Sequence, residues 1–149
     1  MKNLICRQVE VNEDTICVCE NVRYDAYNMK GLEIDVSQTH YACELRQGKY
    51  VVLGAYLGDI LIGACYVSKK FDSLFIEHLF VKRQFQKSNL HVGTNLLSYV
   101  LNNKHIIEQY FEKKFLYSYL DTRNELVSFC EQFGYASNHT MMMMKKTFH

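Results

Sequence analysis

SLFIEHLFVKRQFQKSNLHVGTNLLSYVLNN, residues 73–103, joins a strand-like run to a helix-like run through a polar loop. SLFIEHLFV (73–81) is apolar and partly β-branched, as a buried strand is. From Leu90 onward, Val92, Leu96, Leu97, Val100 and Leu101 fall on one face of a helix. Between the two runs lies a loop without an acid. No Asp or Glu occurs from His78 to Ile107, while Lys82, Arg83, Lys87 and Lys104 all do. Gly93 sits at the helix mouth. A helix N-terminus presents unpaired N–H groups and about half a positive charge. Anions bind there, phosphates above all, and a glycine lets the backbone come close to a ligand. The competing reading is a solvated loop in which Gly93 permits tight helix–sheet packing.

The rest of the chain supplies layers for this unit. Leu4–Val11 reads as a first strand, Asn12–Tyr27 as a helix, and Ser37–Gln47 as a second short helix. YVVLGAYL (50–57) and ILIGACYVS (60–68) are joined by Gly58-Asp59, a tight-hairpin signal. KKFD turns the chain into 73–81, giving three antiparallel strands. After the central helix, Ile106–Lys114 continues partly helical and FLYSYLD (115–121) reads as a strand. Asn124–Phe133 reads as a short helix stopped by Gly134, and the Met-rich tail reads as a last strand with an edge to offer. The class is α/β in an α+β layered arrangement. About four helices flank a mostly antiparallel central sheet of about six to seven strands.

Composition narrows the function classes. The chain has 149 residues, 48% of them apolar, which suits one domain, residues 1–149, with one core. A formal charge of +1 gives no field that points to nucleic acid or a membrane. Arg7 and Glu10 interrupt the N-terminal apolar residues too early for a signal peptide, and no stretch nears the roughly 20 apolar residues of a span. A cytoplasmic protein is expected. Cys6, Cys17, Cys19, Cys43, Cys65 and Cys130 then read as reduced thiols. Cys17 and Cys19 have no Cys/His pair nearby to complete a metal site, so no metal is expected.

The strand, Gln-bearing loop and V-G-x-x-L-L helix resemble motif A of the GNAT superfamily of N-acetyltransferases. In that family a strand ends in Val, and a Q/R-x-x-G-x-G/A loop opens a helix whose amides hold the pyrophosphate of acetyl-CoA. Here Val81 ends the strand and Gln86 follows five residues later. SNLHVGTNLL resembles the family's R-G-x-G-x-G-x-x-L-L, with Gly93 on the last glycine. Asn89 and His91 stand at the first two glycines; Asn tolerates left-handed angles better than most residues. Anchoring on both Val81 and Gly93 leaves the loop two residues longer than usual, so Gln86 and Ser88 are both candidates for the family's Arg/Gln. VSFCEQFGY (127–135) resembles the motif B ending I-x-F-Y-E-K-L-G-F, with Phe129, Glu131, Gly134 and Tyr135 in line. Asn124 lies one residue from the Asn that often opens that helix.

The resemblance implies an acetyl-CoA-dependent N-acetyltransferase acting on a primary amine of a small molecule or peptide. The alternative is an acyl-CoA-binding sensor or partner module without turnover. Leu79, Phe80 and Val81 would pair with the pantetheine arm. Gln86, Lys87, Ser88, Asn89, Leu90, His91, Val92, Gly93 and Thr94 would surround the pyrophosphate, with Asn124 as a further cofactor contact. Tyr24 and Tyr27 would line the acceptor pocket, and a homodimer is the candidate assembly. Direct attack of an amine on a thioester needs a base, an N–H to polarise the carbonyl, and a proton for the thiolate. Glu77 is the candidate base, with His78 as the alternative, since strand alternation puts them on opposite faces unless a bulge intervenes. Cys130 stands where the family usually has a Tyr proton donor. Tyr117, Tyr119 and Tyr135 are near enough in sequence to take its place.

Overall fold

Local chemistry sets the first layer. The computed structural model describes residues 3–29, 35–120, 130–138 and 143–148. Helix α1, Glu13–Ala26, starts in a capping box: Asn12 Oδ1 accepts the Thr15 N–H at 3.0 Å, and Thr15 Oγ1 accepts the Asn12 N–H at 2.9 Å. Glu13 and Asp14 then face the positive helix end, and Arg23 the negative one. A 3-10 turn, Val36–Gln38, leads to α2, His40–Arg46, capped by Thr39 Oγ1 on the Ala42 N–H. The expected helix at 37–47 is therefore two pieces broken at Thr39.

The strands are β1, Leu4–Val9; β2, Val51–Leu57; β3, Ile60–Lys70; β4, Ser73–Val81; β5, Tyr117–Leu120; β6, Ala136–Asn138; and β7, Met143–Thr147. They form one sheet in the order β1-β2-β3-β4-β5-β7-β6. Each pairing is antiparallel except β4 with β5. Gly58 opens the β2–β3 turn at φ 60°, where a Cβ would be strained. Helix α3, Val92–Asn102, and helix α4, Lys104–Phe111, follow β4. The expected layered class holds. Two details differ. The three residues of β6 are too few to carry a sequence period, and they take the outer place. The final strand, β7, is consequently held between β5 and β6 and offers no free edge where the two pair with it.

Helices cover both faces of the sheet. On one face, Leu97, Val100, Ile107 and Phe115 pack on Leu53, Cys65, Val67, Leu74 and Ile76. On the other, Ile16, Cys19, Val22, Ala42 and Leu45 pack on Val9, Val52, Ala64, Tyr66 and Phe80. Gly63 sets how closely α3 approaches. A Cβ there would lie 2.9 Å from the Phe80 carbonyl oxygen, 3.1 Å from Val92 and 3.2 Å from Leu96. Residues 121–129 lie outside the described residues, and with them Asn124, Phe129, the start of the 127–135 motif and most of the helix expected at 124–133.

Candidate functional site

The site is built around β4. Its first half is paired on both edges, with β3 throughout and with β5 from Ser73↔Tyr117 to Ile76↔Leu120. Beyond Ile76, β3 is its one partner among the described residues, so an edge of Glu77–Val81 opens. The Lys82 N–H donates to Ile62 O at 2.8 Å, which turns residue 82 toward β3. By alternation, the N–H and C=O groups of Leu79 and Val81 face the open edge, while those of Phe80 face β3. An extended chain laid in that opening meets strand-like hydrogen-bonding groups.

Past the open edge, the chain makes a 3-10 turn, Arg83–Phe85, and enters α3. His91 is the N-cap at φ 50°, ψ 50°, and no side chain caps the helix. Lys87 is also left-handed, at φ 59°, whereas Asn89 is not. The left-handed positions thus fall on His91, which stands at a family glycine, and on Lys87, which the resemblance did not mark, while Asn89 at the other glycine position is not left-handed. Asn95 Nδ2 donates to the Leu90 and His91 carbonyls at 3.0 and 2.9 Å, which braces the entry. The Ser88 hydroxyl donates to Phe85 O at 2.8 Å. The N–H groups of Val92, Gly93 and Thr94 have no partner among the described residues, as at any uncapped helix start. No acid lies in the first turn to compete with an anion.

The close approach of α3 to the sheet is at Gly63, and Gly93 is half-buried in the first turn of α3. Lys104 does not join this mouth. Its Nζ lies 3.7 Å from Glu108 Oε2 and 4.3 Å from the Phe148 ring, at the start of α4. Lys82 and Lys87 are the lysines that flank the loop. Gln86 spends its donors inside the protein: its N–H goes to Arg83 O at 3.2 Å, and Nε2 donates to Val81 O at 2.7 Å and Ala26 O at 3.2 Å.

The α1/α2 face of β4 carries the titratable groups. Tyr66 pairs with His78 but Val67 pairs with Ile76, so Glu77 is an extra residue in β4. This bulge puts Glu77 and His78 on the same face. The His78 ring lies edge-on to Tyr41 at 4.4 Å and to Tyr27 at 6.3 Å. Tyr24 is partly buried beside Arg23, whose guanidinium carbon lies 4.9 Å from its ring. Glu77 Oε2 lies 3.9 Å from Lys49 Nζ. It is buried and has no hydrogen-bond partner. Tyr50 is the neighbouring hydroxyl, but its one proton goes to Glu44 Oε2 at 3.0 Å. Lys49 and His40 also contact Glu44. Burial, then the Glu77 and Glu44 carboxylates, push the Tyr50 phenol far above its ordinary value.

Beneath this surface lies a group with no sequence signal. Glu20 is fully buried on α1. Its oxygens accept from Arg23 Nε at 2.8 Å, Arg23 Nη2 at 2.9 Å, the Tyr66 hydroxyl at 2.9 Å and the Thr39 hydroxyl at 2.5 Å. One carboxylate thereby fixes α1, the start of α2 and β3 to one another. Burial raises its pKa, but Arg23, Thr39 and Tyr66 together outweigh burial and hold it below the usual carboxylate range.

The candidates for proton donor lie apart from one another. Cys130 is 1% exposed, in the core cluster with Leu97, Val100, Phe115 and Tyr135. The Tyr135 hydroxyl is 2.6 Å from Ser118 Oγ, and burial pushes its pKa well up. Tyr117 and Tyr119 lie on the other face of β5, with Lys145 Nζ 3.9 Å from the first ring and 5.9 Å from the second. A separate cleft of about 710 Å³ lies between β1, the start of α1, the end of α2 and Tyr110. Its walls include Val9, Ile16, Arg46 and Tyr50, away from the α3 mouth, so it does not carry the chemistry considered below.

The fold is that of the GNAT acetyltransferases. A structure described as an acetyltransferase from Pyrococcus horikoshii superposes with a TM-score of 0.70 at 20% identity, covering 93% of this chain and 45% of that one. This chain therefore spans less than half of that relative. The PaiA N-acetyltransferase from Thermoplasma acidophilum, in complex with coenzyme A, gives 0.67 at 14% identity over 97% and 99% of the two chains. A GNAT family acetyltransferase from Brucella melitensis, in complex with acetyl-CoA, gives 0.69 at 12% over 100% and 90%. No protein-family model and no curated protein matches the sequence. No helix among the described residues is long and apolar enough to cross a membrane.

Proposed function

We propose that this protein transfers the acetyl group of acetyl-CoA directly to a primary amine of a small molecule or peptide. The observation that carries this reading is one juxtaposition: the open half-edge of β4 runs straight into the uncapped, acid-free mouth of α3. The first offers the N–H and C=O groups of Leu79 and the N–H of Val81 to an amide-bearing arm. The second offers the N–H groups of Val92, Gly93 and Thr94 to a pyrophosphate, with Lys82 and Lys87 beside them. The residues present therefore fit acetyl-CoA, which when bound supplies the activated acyl carbon.

Glu77 takes the ammonium proton in this reading. Its buried Oε2 lacks a donor and faces the same side as Tyr27 and His78, where an acceptor would enter. Tyr24 and Tyr27 line that entrance. The Leu79 N–H, on the open edge, is placed to polarise a carbonyl. Cys130 is the proposed proton donor on the strength of its motif position, and its burial makes that assignment strict to test. Thiol release from acetyl-CoA across a panel of amines, with Glu77→Gln as control, tests the whole. Turnover with none of them, in protein that binds CoA, favours the second reading, an acyl-CoA sensor. That reading draws on the left-handed His91 at a glycine position and the small buried Cys130 at a tyrosine position.

A further inference from the structure

The end of α1 is tied to the loop between β4 and α3 by side chains from both. Asp25, 7% exposed, accepts the Arg83 N–H through Oδ2 at 2.9 Å. Gln86 spans from the Ala26 carbonyl, in the last turn of α1, to the Val81 carbonyl, on the open edge of β4. Arg83 Nη1 adds a contact to Asn28 Oδ1. Both protons of the Gln86 amide are thereby committed within the protein, so this side chain has no donor left for an anion. Immediately beyond the tie, the backbone folds over: the Tyr27, Asn28 and Met29 N–H groups bond to Arg23, Asp25 and Tyr24 carbonyls at 3.2, 3.1 and 2.9 Å. Tyr27 sits in that fold, against His78.

We propose that Asp25 and Gln86 are positioning residues that latch the Tyr27 end of α1 to the loop at the α3 mouth, so that a ligand held at the mouth also steadies the acceptor side. The coupling rests on the acyl-CoA site proposed above; the latch itself does not. A ligand that holds residues 87–94 also holds Arg83 and Gln86, and through them the Asp25 and Ala26 positions.

Hydrogen exchange of the full chain, read at the amides of residues 27–29, separates the two claims. Gln86→Met keeps side-chain length and removes both amide protons. Asp25→Ala removes the acceptor, and Asp25→Asn keeps an oxygen for the Arg83 N–H. In free protein, exchange at 27–29 should speed up about tenfold in Gln86→Met and Asp25→Ala, stay near the parent rate in Asp25→Asn, and leave β3 amides unchanged. With CoA as the probe, exchange at 27–29 should slow in the parent and not in Gln86→Met that still binds CoA. Unchanged exchange at 27–29 in both Gln86→Met and Asp25→Ala overturns the latch. Equal CoA protection in parent and Gln86→Met overturns the coupling. A parent that does not bind CoA overturns the coupling together with the proposed function, while the free-protein rates still decide the latch.

Discussion

Single residues divide the work of this site in ways their types do not announce. Gly63 and Gly93 stand on facing elements, and a glycine at either place suits close packing. A Cβ at Gly63 would meet the Phe80 carbonyl, Val92 and Leu96. Gly63→Ala should therefore destabilise by about 1–3 kcal/mol, because the Phe80 carbonyl cannot yield. Gly93→Val should leave the melting temperature almost unchanged, since Val is no worse than Gly in a helix. It should weaken CoA binding at least about tenfold by crowding the mouth, roughly 1.4 kcal/mol. Calorimetric CoA titration beside a thermal melt on both variants checks this, and unchanged CoA affinity in folded Gly93→Val removes the site from α3. Glu20 is the opposite case, a charged residue with a purely internal post. Its folded pKa lies below the unfolded value, near 4.3. The stability it contributes is present above about pH 4.3 and is lost as pH falls through the lower folded pKa. Urea melts at successive pH values should show that acid loss in the parent and a flatter profile in Glu20→Gln. Equal slopes in the two would deny Glu20 its role.

At the scale of elements, order and type were legible because burial imposes period. The 3.6-residue pattern of α3, the Gly58-Asp59 hairpin and the acid-free approach to α3 all survive into the structure. What stayed hidden depends on pairing. The Glu77 bulge arises because β3 and β4 slip by one residue between Tyr66↔His78 and Val67↔Ile76, and no local pattern records a slip between two strands. Its consequence is chemical: Glu77 and His78 share a face. The Glu20 hub was hidden for the same reason, since Thr39 and Tyr66 reach it from other elements. Lys104 was misplaced because α3 carries it to the far end of the helix, 11 residues at about 1.5 Å each. With Glu77 and His78 side by side, the assignment of the base becomes a two-variant experiment. Glu77→Gln should lower turnover by about a hundredfold or more with CoA affinity kept, whereas His78→Gln should cost much less. The reverse order would move the base to His78.

Cys130 poses the same question of packing against chemistry. Cys130 lies in the core shared by α3, β3 and Tyr135. If it donates the proton to departing CoA, Cys130→Ala should cost about a hundredfold in kcat with acetyl-CoA affinity kept. Cys130→Tyr should then recover part of it by restoring a phenol. If the thiol only packs, Cys130→Ala should leave kcat near normal. Cys130→Tyr should then destabilise by roughly 1–3 kcal/mol, because 1% exposure leaves no room for a ring. Measuring kcat and Tm together on both variants separates the outcomes, and near-normal kcat in Cys130→Ala assigns the proton to another group.

For the whole molecule, fold likeness at 11–20% identity fixes architecture and leaves activity to experiment. The decisive quantity is whether the native state binds acyl-CoA at all. Binding to the folded chain alone raises stability by RT ln(1 + [L]/Kd), about 2.7 kcal/mol at a hundredfold excess over Kd. For a chain of this length each kcal/mol shifts Tm by about 2–4 °C, so saturating acetyl-CoA should raise Tm by roughly 5–10 °C. Desulfo-CoA, which keeps the pyrophosphate and pantetheine but lacks the thiol, should give most of that rise, because the site proposed here is built from backbone groups of β4 and α3. Adenosine alone should give little. Gly93→Val should lose the shift, and Glu77→Gln and Cys130→Ala should keep it, since neither is asked to hold the cofactor. A folded parent chain with no shift at any acetyl-CoA concentration would leave the open edge of β4 and the bare mouth of α3 as features of the fold alone.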